Sequence, residues 1–454
     1  MKNLRGYQLT PDGKKFLFSP RTGGGYGIAS FAPGQKTSDG KLDLSGMKMR
    51  IDPTVEWKQV YHDAWRIMRD WFYDPGMHGV DWQATGEKYR QFITHCGNRA
   101  DLNYLIGEMI GELNVGHTYI YGGERGRSGA RVQVGRLGVD FSTPDGAAHH
   151  RIERIVPGNH WHPGERSPLE EPGCSISDGD WLLAINGTEI SADENIFIHL
   201  EDTVGRTISV TTNSSDSFEG SEECRVRPVG SEYPLRYRAW VEANRKAVDE
   251  ASGGRIGYLH IPDMMDTGLV EFARGWYHDF GKEGFIIDER YNGGGFVGDM
   301  IIDRLEREVW SFTQPREGKP IPGSERVSRA YLAVLINHDT GSNGEYFAEA
   351  IKIKGLAPVI GTRTWGGAVG IEPHQNLVDG GVSTPPQFAP YGLDNRWLIE
   401  GHGVDPDIVV ENVPGDVLAG RDAQLESAIE ILMPKIEADP RQIPDPPPYP
   451  DKSK

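Results

Sequence analysis

Cysteine, long apolar runs and positive charge are all scarce in this 454-residue sequence. Cys96, Cys174 and Cys224 are odd in number and far apart, so neither a disulfide framework nor a zinc spacing follows, and a reducing cytoplasm is the expected compartment. No apolar run approaches the roughly 20 residues that cross a bilayer. The first residues, "MKNLRGYQLTPDGKKF", lack the continuous apolar core of a secretory signal. A formal charge of −18 would repel the phosphates of nucleic acid and of anionic membranes, so neither is an expected partner. The glycine triplet Gly293–Gly295 is not G-x-G-x-x-G, and no lysine with serine or threonine follows it, which excludes a phosphate loop. No metal-ligand spacing or cofactor motif is found; "NHWHPGE", with His160 and His162 in a loop, brings no further ligands.

What is present is a globular composition, 37% hydrophobic and 25% charged, long enough for two to four domains. Residues 1–48 hold one hairpin, "YQLTPDGKKFLFSP", turning at Pro11-Asp12-Gly13. Such hairpins build propeller blades in tandem, but no repeat series follows, so the segment is an arm or the remnant of a propeller. Residues 49–129 read as helical: Val60, Ala64, Ile67, Met68 and Trp71 share one face behind an Asp52-Pro53 start. Residues 130–230 change to short alternating strands such as "GRLGVDF" and "GDWLLAINGTEI". Residues 231–436 alternate apolar strands ("GFIIDER", "YLAVLIN") with helices, the pattern of an α/β domain with a buried sheet. Proline and charge make 437–454 an extended or disordered tail.

Three stretches could carry chemistry. In "HDTGSNGE", Ser342 lies where a strand turns into a helix, near the positive end of the helix dipole. There it either caps the helix, with Glu345 closing a capping box, or serves as a nucleophile beside amides able to hold an oxyanion. In "RYNGGGFVGD", the glycines after a strand form a flexible loop or offer amides to a carbonyl oxygen. In "GELNVGHTYIYGG", His117 is a structural histidine or a base, with His149, His150, His160, His162, His374 and His402 as competitors. A serine nucleophile needs a base and a group to orient it. Glu400 in "LIEGHGVDPDI" is one carboxylate among many, and a surface glutamate is its plain reading.

Taken together, "RYNGGGFV", "TGSNGE", "IGTRTWGGAVGI" and "EGHGVDPDI" resemble, in order and spacing, the tricorn-type serine peptidases, relatives of the C-terminal processing peptidases. The resemblance covers roughly residues 50–436. It implies a multidomain α/β and β architecture: a helical/β N-terminal core subdomain, an inserted PDZ domain and a crotonase-like ββα spiral, the fold also of Clp-type proteases. By position it makes Ser342 the nucleophile, His117 the base and Glu400 the carboxylate of the charge network. Gly295 and Asn343 would supply the oxyanion-hole amides, and Gly138 and Val139 the PDZ donors for a peptide terminus. The resemblance implies hydrolysis of short unfolded peptides without a cofactor or metal, a homo-oligomer (a hexamer in the family) and aminopeptidases acting downstream. Processing peptidases of the Ser/Lys kind carry a lysine in the stretch that here reads "TWGGAVG", so a histidine base is expected. Two positions depart from the family: Gly116 stands where a serine links histidine to glutamate, and Thr313 where an acidic residue favours basic side chains. With Gly116, Glu400 would reach His117 through water, Thr118 or direct contact. Gly116 also favours a rival, a peptide-binding module that has lost catalysis; a crotonase-type enzyme acting on CoA derivatives fits the fold but not the PDZ insertion.

Overall fold

The computed structural model describes residues 3–22, 24–124, 131–159, 161–323, 327–372, 376–441 and 443–453. The chain divides into two compact units, Met1–Tyr61 and His62–Lys454. In the first, β1 (Leu4–Leu9) and β2 (Lys15–Pro20) form the expected hairpin, and β3 (Gly27–Ser30) adds a third antiparallel strand. The Thr10 hydroxyl donates to Asp12 (2.6 Å) and ties the turn, while Phe16, Phe18 and Ala29 make a small core. Helix α1 (Pro53–Trp71) starts where the Asp52 carboxylate accepts from the Thr54 N–H at 3.0 Å. Val60, Ala64, Ile67 and Met68 are buried as expected, but Trp71 is 44% exposed. It is the last helical residue, and Phe72 beyond it takes the buried place.

In the second unit, α2 (Trp82–Arg90) and α3 (Arg99–Gly111) follow, the latter behind a complete Asn98/Asp101 capping box. Trp65 and Trp82 each donate the indole N–H to the other's carbonyl, at 2.9 and 3.0 Å, which locks α1 to the start of α2. The strand β4 (Tyr119–Tyr121) comes next. The inserted domain contains β5 (Val139–Ser142), β6 (His150–Ile155), β7 (Trp181–Ile185), β8 (Thr188–Glu189), β9 (Ile208–Asn213) and β10 (Glu222–Val226). They form one antiparallel sheet in the order β10-β9-β7-β6-β5, with β8 on β7, so β5 is an edge. Its fold pairs Cys174 with Cys224, whose Cα atoms are 5.3 Å apart. This corrects the reading of unpaired cysteines: the two are distant in sequence and adjacent in space. Cysteine usage therefore gives no argument for a reducing compartment.

The core domain runs α4 (Tyr233–Ser252), β11 (Ile256–His260), α5 (Asp266–His278), β12 (Gly284–Asp288) and α6 (Gly298–Leu305). After a small hairpin of β13 (Phe312–Thr313) and β14 (Ile321–Pro322) come β15 (Tyr331–Ile336), α7 (Asn343–Ile353) and β16 (Val359–Gly361). The short strands β17 (Gly370–Ile371), β18 (Val382–Thr384), β19 (Pro386–Phe388) and β20 (Ile408–Val409) precede α8 (Pro414–Leu418) and α9 (Ala423–Ala438). The central sheet, β11-β12-β15-β16-β20, is parallel throughout. Both faces are covered, so successive strand residues are apolar on either side. Tyr258, Ile286, Ala333 and Leu335 pack toward α4 and α9, while Leu259, Ile287, Val334 and Ile336 pack toward α5, α6 and α7. The carboxyl ends of β12, β15 and β16 open into the glycine triplet, the Ser342 turn and the loop from Thr364 to Val369. In open α/β sheets that end is the usual ligand side. A further pairing, Tyr119 with Thr384 in β4·β18, carries the segment just after His117 onto the same region.

No helix among the described residues is long and apolar enough to cross a membrane. One buried charge cluster of the core domain is paired: Arg290 binds Asp288 (2.6 Å) and Asp422 (2.8 Å). The Asp288 carboxyl, although its burial opposes ionisation, is held below the usual carboxylate range by the Arg290 guanidinium. Arg290→Ala would leave buried Asp288 without its cation, a loss expected to cost about 3–5 kcal/mol in urea unfolding. A loss below about 1 kcal/mol would show that the pair is not what holds this end of the sheet.

Candidate active site

Ser342 sits at the N-cap of α7 with φ 53° and ψ −121°, a backbone conformation that β-carbon sterics disfavour by roughly 1–3 kcal/mol. Neighbours hold it there. Its N–H donates to the Glu345 carboxylate at 3.1 Å, while the Glu345 N–H meets the Ser342 carbonyl at 3.0 Å. Ser342 and Glu345 stand in the reciprocal relation of a capping box, the Ser342 oxygen facing the Glu345 N–H. Capping and access coexist: Ser342 is half-buried and still lines the cavity described below. Gly294 is required beside it: a Cβ there would lie 2.6 Å from the Ser342 Cβ.

Gly295 has φ 148° and pairs with Met264 as an isolated parallel bridge. Met264 bonds to the Gly294 carbonyl (2.8 Å) and the Phe296 N–H (2.7 Å), which turns the Gly295 N–H away from Met264. Neither the Gly295 nor the Asn343 N–H has a hydrogen-bond partner among the described residues. The Asn343 side chain is engaged, accepting from the Gly298 N–H (2.9 Å) at the start of α6.

His117 is buried and donates Nδ1–H to the Val369 carbonyl at 2.6 Å; a carbonyl only accepts, so the tautomer leaves Nε2 unprotonated. Tyr119 and Trp365 pack edge-on against the ring. Burial lowers its pKa, opposed by the Val369 hydrogen bond and the charge of Glu400. Glu400 makes no direct bond to His117. Its Oε1 accepts from the Gly116 N–H (3.0 Å), and Oε2 accepts from Ala368 (2.8 Å) and Val369 (2.9 Å). It therefore fixes the residue before His117 and the residue that orients the ring. Thr118, a sequence-based candidate for that link, donates instead to the Thr384 carbonyl at 2.9 Å.

His117, Gly295, Ser342 and Asn343 line one cavity of about 500 Å³, with Tyr346, Phe296, Asp299, Ile371 and Phe388 among its walls. Thr313 does not line it; it lies exposed in β13. A larger cavity of about 810 Å³ lies elsewhere, between Arg136, Tyr233, Trp240, His260 and Tyr291, and lacks Ser342 and His117. The larger cavity is thus not the one that brings Ser342 and His117 together. Gly138 is placed differently from its expected role: its N–H already donates to the Glu232 carboxylate at 2.8 Å. Val139 opens the edge strand β5, and its carbonyl accepts from Arg236 (3.1 Å), which also pairs with Glu232.

Of the competing histidines, His149 binds Asp216, His150 binds Thr143, and His402 binds Asp405; His160 and His374 lie outside the described residues. Among the described residues no group of three or more His, Cys, Asp or Glu side chains is placed to hold a metal. Sequence reasoning gave Glu345 only a capping part. Its buried carboxylate accepts from Ser342 and also from Thr364 Oγ (2.5 Å), Gly366 (2.7 Å) and Gly367 (2.9 Å). Burial raises its pKa and these hydrogen bonds oppose the rise. Tyr346 was missed altogether; it donates to the Ala368 carbonyl (3.0 Å), and burial, then Glu400 and Glu345, push its pKa up to about 12. The S-x-x-E spacing at the start of α7 was the signal for Glu345, and it does not include Tyr346.

Comparison with known proteins gives the context. Three families match along the chain: the tricorn protease C1 domain over residues 53–111, the tricorn protease PDZ domain over 135–231 and peptidase family S41 over 255–410. The tricorn protease homolog 1 of Streptomyces coelicolor is 35% identical over 91% of this chain and 38% of its own length. The tricorn protease of Thermoplasma acidophilum is 35% identical over 86% of this chain and 36% of its own. A crystal structure of the tricorn protease superposes with a TM-score of 0.88 at 32% identity, covering 96% of this chain and 42% of that one. The chain thus spans less than half the length of these relatives, in the region of their C1, PDZ and peptidase domains. It belongs to the tricorn protease family.

Proposed function

We propose that this chain is a serine peptidase that hydrolyses short unfolded peptides at Ser342. The observation that carries the reading is the pair of unengaged amides, Gly295 and Asn343, beside a strained serine in the cavity that also holds a buried, tautomer-fixed histidine. In this mechanism His117 Nε2 takes the Ser342 proton as Oγ attacks the peptide carbonyl carbon. The carbonyl oxygen becomes an oxyanion between the Gly295 and Asn343 N–H groups. The imidazolium then gives its proton to the leaving amine, the C–N bond breaks and an acyl-enzyme remains. Water attacks that ester with His117 again as base, and the acid product leaves with Ser342 restored.

Glu400 supports this at one remove, through the Gly116 and Val369 backbone and through its charge, which favours the imidazolium. Because Thr313 is outside the cavity, side-chain preference falls to its own walls, Phe296, Ile371 and Phe388 with the carboxylate of Asp299. A second reading, peptide binding without turnover, rests on Gly116. A Cβ there would stand 3.8 Å from Glu400 Oε1, so the position has room for the serine this chain lacks.

Intact-mass spectrometry after incubation with a fluorophosphonate tests the two readings. A single adduct is expected on the wild type, none on Ser342→Ala, and labelling about 10²–10⁴ slower on His117→Ala. A folded wild type that takes no adduct would leave only the binding module. The pH dependence gives a second expectation. Labelling should fail toward acid as His117 protonates, with a midpoint below the ordinary 6.5 because burial disfavours the charged ring. Glu400→Gln removes a charge that favours the imidazolium, so the midpoint should move further toward acid; movement toward base would contradict the assigned field. Finally, a peptide terminus can use Gly138 only by displacing Glu232. Glu232→Ala should tighten binding of a free-carboxylate peptide about tenfold or more while leaving its amidated form unchanged, and equal gains for both would refute terminus recognition there.

A further inference from the structure

We propose that Asn292 is the positioning residue for both oxyanion donors, and that Glu289 positions Asn292. The inference rests on the reading of Ser342 as nucleophile and of Gly295 and Asn343 as donors, and adds the device that sets their separation. Those donors arrive from two different strand ends, so something must fix one loop against the other. Asn292 is fully buried and bonds to both. Its Oδ1 accepts from the Gly294 N–H at 2.8 Å, immediately before the Gly295 amide. Its backbone carbonyl accepts from the Gly341 N–H at 2.8 Å, immediately before Ser342. A Cβ on Gly344 would lie 3.0 Å from Asn292 Oδ1, so the amide group also packs on the first turn of α7.

The side chain has no rotational freedom left. Nδ2 donates to the Ile261 carbonyl and to Glu289 Oε2, both at 2.9 Å. The Gly294 N–H demands an oxygen and the Ile261 carbonyl demands a donor, which fixes the amide's orientation. Glu289 continues β12: its N–H donates to the Leu335 carbonyl (2.8 Å), and its own carbonyl accepts from Thr340 Oγ (2.8 Å). Its carboxyl is buried, with one oxygen on Asn292 and the other without a partner. Burial, then the neighbouring Asp288 charge, raise its pKa well above the ordinary value, which favours the neutral acid. A neutral acid and an amide are near isosteres, whereas an ionised carboxylate with a bare oxygen would be costly in that place. Asn292 touches no reacting atom. It acts by holding the peptide planes from Gly293 to Gly295 and from Gly341 to Asn343 in the relation that lets two amides meet one oxygen, where about 1 Å of error costs on the order of 10²-fold in rate.

The test uses the full chain and a fluorophosphonate, separating the limiting labelling rate (kinact) from the apparent affinity (KI), with circular dichroism to confirm folding. Asn292→Ala should lower kinact about 10²-fold, with KI within about threefold and the acid midpoint set by His117 unmoved. Glu289→Gln should stay within about threefold of wild type, whereas Glu289→Ala should lose about tenfold or more in kinact. A folded Asn292→Ala with kinact near wild type, or with its loss confined to KI, overturns the proposal. If Asn292→Ala does not fold, the Glu289 pair decides: Gln fast and Ala slow supports the proposal, and equal rates overturn it. Failure of the wild type to label at all would refute the Ser342 reading and take this inference with it, whereas a labelled wild type with an indifferent Asn292→Ala refutes this inference alone.

Discussion

Two buried or half-buried carboxylates that do none of the chemistry hold this site together by accepting backbone N–H groups. Glu345 joins the Ser342 amide to those of Gly366 and Gly367, so the strained turn and the loop after β16 share one anchor. Glu400 then joins that loop, at Ala368 and Val369, to Gly116. Val369 in turn orients His117. Three segments far apart in sequence thus meet through a chain of carboxylate–amide bonds, each satisfying donors that would be costly to bury alone. The strain at Ser342 persists because its surroundings over-determine it.

This also explains why a glycine at position 116 does not dismantle the arrangement. The link between Glu400 and His117 runs through peptide groups, and glycine has a peptide N–H like any other residue. What Gly116 forgoes is a hydroxyl between carboxylate and imidazole; what it keeps is the position of the ring. The five-stranded parallel sheet supplies the platform, with its carboxyl ends delivering the glycine triplet, the serine turn and the loop that carries Val369.

The parts legible in the sequence were those whose chemistry is local. The turn at Ser342 and the glycine triplet declare themselves because a sharp strand-to-helix turn and a close backbone approach need glycine at fixed offsets. The alternation of apolar strands and helices gave the α/β sheet for the same reason. His117 and Glu400 carried no local mark and were placed by resemblance alone, since their partners are the backbone groups of distant loops. Glu345 was visible only as a cap, because the Gly366 and Gly367 amides that complete it lie in another segment. The Glu232 carboxylate on Gly138, the pairing of Cys174 with Cys224 and the absence of Thr313 from the cavity are likewise tertiary facts. No spacing rule announces them.

In the proposed mechanism the Gly295 and Asn343 amides converge on the oxyanion that forms as Ser342 Oγ attacks the carbonyl carbon. A crystal structure of the covalent adduct with a peptidyl boronate is the decisive measurement. The account predicts a tetrahedral adduct on Ser342 Oγ, with its oxygen about 2.7–3.1 Å from both amide nitrogens. An adduct oxygen turned to solvent, or an adduct on any other residue, would contradict it.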